Sequence, residues 1–291
     1  MKHTVFAEKM DGIFAEHVIR DVEFTMSIKH MHPEYELYYL IEGDRFYFIE
    51  NETYLIHTGS LVFIKRNEIH KTGAVQNRTY HNRMLISVAA EVFNPFLHAI
   101  GLCSLEQFFS GHRVVTLDTQ GQNYVLQMFK EIAKEIQEKK EGYECLVKMK
   151  LTELLLYIQR IRKDPRRILT ETVSESGKHK KVQEITTYIC RHYRDQFSLD
   201  DLADNFYISK SYLSRIFKDV TGFTITEYTN IQRIKFAKGI LENKRCNITE
   251  LSAEAGFESI TYFERIFKKY TRLSPLEYQK AIHSKQEIKI I

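Results

Sequence analysis

The chain has 291 residues, enough for two domains with separate cores, and its net charge is +4. With 17 Tyr and 19 Phe against only four Pro, the composition excludes a disordered or fibrous chain. The four cysteines lack paired spacing, and no apolar run reaches the roughly 18 residues of a membrane span.

The first residues, MKHTVFAEKMDGIF, lack the apolar stretch of a secretory signal, so a reduced, cytoplasmic protein with no membrane partner is expected. From about Val5 to Val88 the pattern is mostly strand. Residues 36–41 (ELYYLI), 45–49 (RFYFI), 53–56 (TYLI), 60–64 (SLVFI) and 84–88 (MLISV) are short and rich in β-branched and aromatic side chains. Turn formers at 42–44, 50–52 and 58–60 separate them, which predicts an antiparallel sandwich or barrel over residues 1–118.

Two helices are predicted next. In residues 124–140, Val125, Met128, Phe129, Ile132, Ala133 and Ile136 recur at helical spacing. A second helix over 143–162 carries Leu146, Met149, Leu151, Leu154, Leu155, Ile158 and Ile161, with Gly142 as the break. The hairpin, within residues 119–163, has more apolar surface than self-pairing covers. It either forms a homodimer contact or packs on the β domain. Pro165 ends the second helix, and the polar stretch 164–180 is the expected linker.

The remaining residues, 181–291, are helical in pattern and nearly repeat themselves. Residues 198–228 read SLDDLADNFYISKSYLSRIFKDVTGFTITEY and residues 247–278 read NITELSAEAGFESITYFERIFKKYTRLSPLEY. Each copy predicts a helix-turn-helix, at about 198–221 and 247–271. Ser198 and Asn247 open capping boxes, Ser209 caps the second helix of the first copy, and Gly222 ends it. Gly256 in the second turn permits close helix approach.

In the second helix of each copy Leu213, Ile216 and Phe217, or Phe263, Ile266 and Phe267, face inward. Ser211, Ser214 and Arg215 are left outside in one copy, and Ile260, Thr261, Glu264 and Arg265 in the other. These residue types suit base edges: Arg for guanine, apolar and Thr methyl groups for thymine, Ser or Thr for several edges. Lys218, Lys268 and Lys269 suit phosphate. Charge agrees: residues 178–291 carry 20 Lys and Arg against 14 Asp and Glu, and residues 1–177 carry 22 against 24. Two recognition helices on one linking helix would enter major-groove segments about 34 Å apart, with DNA bending if the link is stiff.

Residues 181–282 resemble the DNA-binding domain of AraC/XylS-type bacterial transcription regulators. Ala255-Gly256-Phe257, Tyr262-Phe263, residues 265–268 (RIFK) and residues 273–278 (LSPLEY) carry the resemblance. It implies promoter DNA and RNA polymerase as partners, and base reading at the seven exposed positions just named. Arg272 departs from the pattern, standing where glycine is common.

The N-terminal part resembles the cupin fold. His30 and His32, then Glu36, and later His70 follow the spacing of a barrel that can hold one metal. Lys65, Asn67 and Ala74 replace residues of the second cupin motif. The expected architecture is therefore a multidomain β + α chain: a cupin-like β-barrel, a helical hairpin and an all-α domain with two helix-turn-helix motifs. The effector pocket is assigned to His30, His32, Glu36, Tyr38, Phe46, Phe48 and His70, for a small molecule such as a sugar or aromatic compound. No cofactor is expected; a divalent metal on His30, His32, Glu36 and His70, or purely structural histidines, are the alternatives. His57, His81, His98 and His112 are taken as ordinary surface or packing residues. The leading expectation is a ligand-responsive transcription activator rather than an enzyme. The rivals are a metal-dependent cupin enzyme with a helical appendix and a DNA-binding regulator with no effector.

Overall fold

The computed structural model describes residues 2–22, 32–75, 79–164 and 177–287, with side chains as far as 283. Backbone contacts divide the chain into two units, Met1–Lys180 and Lys181–Ile291.

Among the described residues the first unit holds eight strands: β1 (Lys2–Met10), β2 (Ile13–Arg20), β3 (Tyr35–Ile49), β4 (Glu52–His57), β5 (Ser60–Ile64), β6 (His70–Ala74), β7 (His81–Val88) and β8 (Val114–Thr116). Their order is β1-β2-β7-β3-β5-β8, with β4 and β6 both paired to β3. Each pairing is antiparallel.

Strand β3 organises the barrel. The predicted turn at residues 42–44 is instead part of one continuous strand of 15 residues. Gly43 sits in it at φ +108, and a Cβ there would lie 2.6 Å from the Tyr80 carbonyl. Glycine thus lets the strand bend past a neighbouring backbone rather than reverse. The pairing register with β7 shifts between Leu40 and Glu42. Before the shift even-numbered side chains face the interior; after it odd-numbered ones do. Tyr38 and Leu40 therefore share an interior cluster with Tyr47, Ile49, Ile56 and Val62.

The opposite face of the sheet is covered by helices. These are α1 (Ala90–Ala99), α2 (Leu105–Phe108), α3 (Thr119–Glu138) and α4 (Tyr143–Ile161). Asp118 caps α3 by accepting from the Gly121 amide at 2.7 Å, and Gly142 at φ +78 precedes α4. Leu37, Tyr39, Met84 and Ile86 of the sheet join Phe129, Ile132, Leu154 and Ile158 of the hairpin in one core. Each such side chain contributes about 1.5–3 kcal/mol on burial. The hairpin's main apolar face is thus spent on the β domain. Leu146 and Met149 remain outside, at 41% and 54% exposure.

The second unit holds α5 (Gly177–His192, whose first residues belong to the first unit), α6 (Leu199–Asn205), α7 (Lys210–Thr221), α8 (Ile225–Asn243), α9 (Ile248–Glu254), α10 (Ile260–Thr271) and α11 (Pro275–Glu287). Residues 177–180, expected in the linker, are already helical, and residues 165–176 lie outside the described set. Ser198 and Asp201 form a reciprocal capping box. At Asn247 the side chain accepts from the Thr249 and Glu250 amides without the reciprocal bond, so the predicted second box is a simple N-cap. Helix α8 buries Ile231, Ile234, Ala237 and Leu241. The last three pack with Leu251, Phe263 and Phe267 of the second copy.

Candidate DNA interface and effector site

Helices α7 and α10 are built alike. Ser209 and Ser259 accept from the Tyr212 and Tyr262 amides at their N-termini. Leu213, Ile216 and Phe217 are buried in α7, and Phe263, Ile266 and Phe267 in α10. The 3.6-residue period then puts Ser211, Ser214, Arg215 and Lys218 on the exposed side of α7. Ile260, Thr261, Glu264, Arg265, Lys268 and Lys269 are exposed on α10.

The two arginines are held similarly. The Arg215 guanidinium lies 5.5 Å from the Tyr212 ring centroid, and that of Arg265 lies 5.1 Å from the Tyr262 ring. A cation over an aromatic face three residues earlier limits rotamer freedom before any contact with bases. The three-residue spacing of Tyr212 and Arg215, repeated by Tyr262 and Arg265, is readable in both copies of the sequence, yet neither tyrosine is among the base- or phosphate-contacting residues expected above.

The second motif is tied to the segments that flank the first. Arg194 Nε donates to the Glu254 carbonyl at 2.8 Å, and Gln196 Nε2 to the Gly256 carbonyl at 2.9 Å. On α8, Asn230 Nδ2 donates to the Tyr262 hydroxyl at 2.8 Å. Gly256 has φ +88, and a Cβ there would lie 2.6 Å from the Arg194 carbonyl oxygen.

In the barrel, His32, Glu36 and His70 come together. His32 Nε2 lies 3.2 Å from Glu36 Oε2, and His70 Nε2 lies 4.0 Å from the same oxygen. His70 Nδ1 donates to the Glu68 carbonyl at 3.0 Å, which points Nε2 toward Glu36. Tyr47 donates to the other Glu36 oxygen at 3.3 Å. Burial raises the Glu36 carboxyl, but the His32 hydrogen bond and the charges of His70, His32 and Arg83 outweigh it and bring it down to about 2. The three side chains offer two nitrogens and one oxygen within 4.8 Å of one another. Such a set can hold zinc, manganese or iron when water completes the sphere. His30, the fourth predicted member, lies outside the described residues.

Tyr38 is buried on the interior face beside Tyr47, with ring centroids 5.2 Å apart. Phe46 and Phe48, also assigned to the pocket, alternate with Tyr47 and so occupy the other face of β3. Phe46 stacks on His179 at 4.2 Å, within the first unit. The register shift in β3 is the reason for this correction.

A sequence profile described as "AraC-like ligand binding domain" matches residues 20–155, and one described as "Helix-turn-helix domain" matches residues 202–281. The chain belongs to the AraC family of transcription regulators. It is 26% identical over 262 residues to the uncharacterized HTH-type transcriptional regulator YdeC of Bacillus subtilis, covering 86% of this chain and 85% of that one. It is 21% identical over 251 residues to the HTH-type transcriptional activator RhaR of Escherichia coli K12, covering 86% of each. Among solved structures, apo ToxT from Vibrio cholerae aligns over 94% of this chain and 98% of its own, with 13% identity and a TM-score of 0.39. The profiles and named relatives are those of DNA-binding regulators, not enzymes.

Besides Tyr47, four interior side chains of this AraC-family barrel are absent from the expected site residues: Arg20, Arg45, His81 and Arg83. His81 is 1% exposed and Arg45 is fully buried. Arg20 Nη1 donates to His81 Nε2 at 3.5 Å, and Arg45 Nε to Thr72 Oγ1 at 3.1 Å. The alternation of β2, β3 and β7 carried the only signal, and it needs the register to be read.

Proposed function

We propose that the chain is a cytoplasmic, effector-responsive transcription activator that reads two adjacent major-groove segments of promoter DNA. The observation that carries this reading is the pair of tyrosine-braced arginines, Arg215 and Arg265, exposed at equivalent places on α7 and α10. Arg215 and Arg265 act as guanine readers, with Ser211, Ser214, Ile260, Thr261 and Glu264 completing base recognition. Lys218, Lys268 and Lys269 contribute phosphate contacts. The name of RhaR, an activator, supports positive control and hence contact with RNA polymerase.

The barrel supplies the effector chamber around Glu36, Tyr38, Tyr47, His32 and His70, working without a resident metal. Leu146 and Met149 on α4 provide the apolar part of a homodimer contact. Effector binding shifts the population of chains able to engage both DNA segments. The deciding experiment is an unbiased oligonucleotide selection on the full chain, repeated with Arg215→Ala and Arg265→Ala. Each substitution should relax preference at one segment and cost about 1–3 kcal/mol of specific binding. Unchanged selected sequences in both variants would refute the assignment. Metal analysis of the purified protein tests the chamber: stoichiometric metal lost in His70→Ala would replace the metal-free reading.

A further inference from the structure

A cavity of about 280 Å³ lies inside the helical unit, between the two motifs. Its walls come from Ser198 and Leu199 at the start of α6, from one face of α8, and from Tyr262 on α10. The same Tyr262 ring braces Arg265, so the cavity adjoins a base-reading side chain. Helix α8 presents Thr226, Thr229, Asn230 and Arg233 to it, the i, i+3, i+4, i+7 spacing of a single helix face. Among the described residues that line it none is acidic.

Three groups on these walls offer hydrogen-bond donors. Thr229 is 5% exposed, and its hydroxyl has no hydrogen-bond partner among the described residues. The Tyr262 hydroxyl accepts from Asn230 Nδ2 at 2.8 Å and keeps its own proton to give. Arg233 is held by the Tyr193 and Asp195 carbonyls through Nε and Nη2, which leaves Nη1 and a charge that neutral carbonyls do not cancel. Burial lowers its pKa, and the neighbouring Glu258 and Tyr262 recover only part of that. The Asp201 carboxylate, on the turn of α6 beyond Ser198, is committed to the Ser198 amide and hydroxyl. Donors and a cation without an acidic wall call for an acceptor that carries negative charge.

What lies opposite is set by the two reading helices. Segments one helical turn apart put the duplex backbone, with a phosphate about every 3.4 Å along each strand, against the surface between α7 and α10. We propose that this cavity is a phosphate clamp: the Thr229 and Tyr262 hydroxyls, with the charge of Arg233, hold one backbone phosphate of the DNA strand that crosses between the two major-groove segments. The proposal rests on the reading of α7 and α10 as base-reading helices, and it adds a contact that a duplex cut to one segment lacks. A phosphate carries no sequence information. Held here, it fixes how far apart the two segments stand, so the clamp reads spacing.

The test is a methylphosphonate scan with the full chain and a duplex carrying both segments. Each phosphate between the segments is replaced in turn by the uncharged group. One position should cost the wild type about tenfold in affinity, the worth of a hydrogen bond to a charged group. Thr229→Val keeps the shape and removes the hydroxyl. It should unfold at the same or a higher temperature, since a buried hydroxyl without a partner is lost, yet bind the unmodified duplex about tenfold more weakly. At the sensitive position its further loss should fall below about threefold, because the two changes remove one contact. If Thr229→Val does not fold, Tyr262→Phe decides by the same scan, because the ring beside Arg265 is kept. A scan with no Thr229-dependent position, or undiminished binding by the variant, overturns the clamp. So does inorganic phosphate that, without DNA, stabilises the wild type but not Thr229→Val while the scan stays silent; the cavity would then hold a free anion. Failure of the base readers looks different: selection yields no preferred sequence, and Thr229→Val must still weaken binding to any duplex long enough to span both motifs, or the clamp falls too.

Discussion

Replacing Arg272 with glycine should stabilise the helical unit. Arg272 ends α10 at φ +67, in the left-handed region, as Gly222 ends α7 at φ +83. The two caps are otherwise the same. The Arg272 amide donates to the Lys268 carbonyl at 2.9 Å, and the Gly222 amide to the Lys218 carbonyl at 2.9 Å. Thr271 and Thr221 hydroxyls each bond the Phe carbonyl four residues earlier, at 2.8 and 2.7 Å. A side chain in this conformation costs about 1–2 kcal/mol. Glycine gives back about 0.4–1 kcal/mol through a freer unfolded chain. The net gain expected from Arg272→Gly is about 0.5–1 kcal/mol, or roughly 2–5 °C in the unfolding temperature of a domain this size. Thermal unfolding of the fragment Lys181–Ile291, followed by circular dichroism, measures it. Gly222→Ala is the reciprocal control and should lose about 1 kcal/mol. If Arg272→Gly leaves stability unchanged or lowers it while Gly222→Ala is harmless, cap strain is not what separates the two positions. The same variant, bound to DNA at several salt concentrations, reports whether Arg272 touches phosphate. One lost contact flattens the logarithmic salt slope by about 0.9.

Gly256→Ala should be the more damaging glycine change. Its Cβ would meet Arg194 backbone at 2.6 Å in a left-handed residue, so a loss of about 2–4 kcal/mol is expected in urea unfolding, and a loss under 1 would contradict the close approach. Lys268→Ala should weaken binding to all sequences alike and reduce the salt slope by about 1, whereas a change in preferred sequence would make it a base reader. Stability should also fall with acid through His81. Burial first, then Arg45, Arg20 and Arg83, depress its pKa from 6.5 to about 3. The native imidazole stays neutral while the unfolded one takes a proton, so its contribution is intact above about pH 6.5 and is lost as pH falls toward 3. Between pH 7 and 5 this amounts to about 2 kcal/mol, visible as a shift in urea midpoint that His81→Gln should remove. Equal pH slopes in the two proteins would show that His81 is protonated in the fold.

What the sequence disclosed was local chemistry. Ser198, Ser209 and Gly222 mark helix ends because caps depend on neighbours within four residues. The exposed faces of α7 and α10 follow from the apolar phase, and their duplication removes ambiguity. The barrel interior was less legible because register joins residues far apart in the chain. Gly43 looks like a turn until the Tyr80 carbonyl is known to pass beside it. Missing that bend left the parity of β3 unread, so Phe46 and Phe48 were placed with Tyr38 while Tyr47 was passed over. The same loss hides Arg45 and Arg83, because a charged side chain is rarely buried and only the strand register turns these two inward. On α4, helical periodicity could not distinguish Leu151, covered by the sheet core, from Leu146, which is not.

The bonds that tie the second motif to the segments flanking the first imply that α7 and α10 are held at one fixed spacing. Arg233 is the test of this. It projects from α8, donating from Nε to the Tyr193 carbonyl at 2.5 Å and from Nη2 to the Asp195 carbonyl at 3.0 Å. Its guanidinium lies 5.5 Å from the ring centroid of Phe257 in the second motif. One side chain thus links the end of α5, the linking helix and the second turn. Charge-assisted bonds of this kind contribute about 1.5–3 kcal/mol each, but the freed carbonyls are near enough to the surface for water to recover part of that. Arg233→Ala should therefore cost about 1–2 kcal/mol of stability and leave Arg215 and Arg265 in place. Affinity for DNA carrying one segment should barely change. Affinity for DNA carrying both should fall roughly tenfold, because the second contact loses its preset geometry and its effective concentration. Equal losses on one-segment and two-segment DNA would mean that the motifs bind independently and that α8 is only a tether.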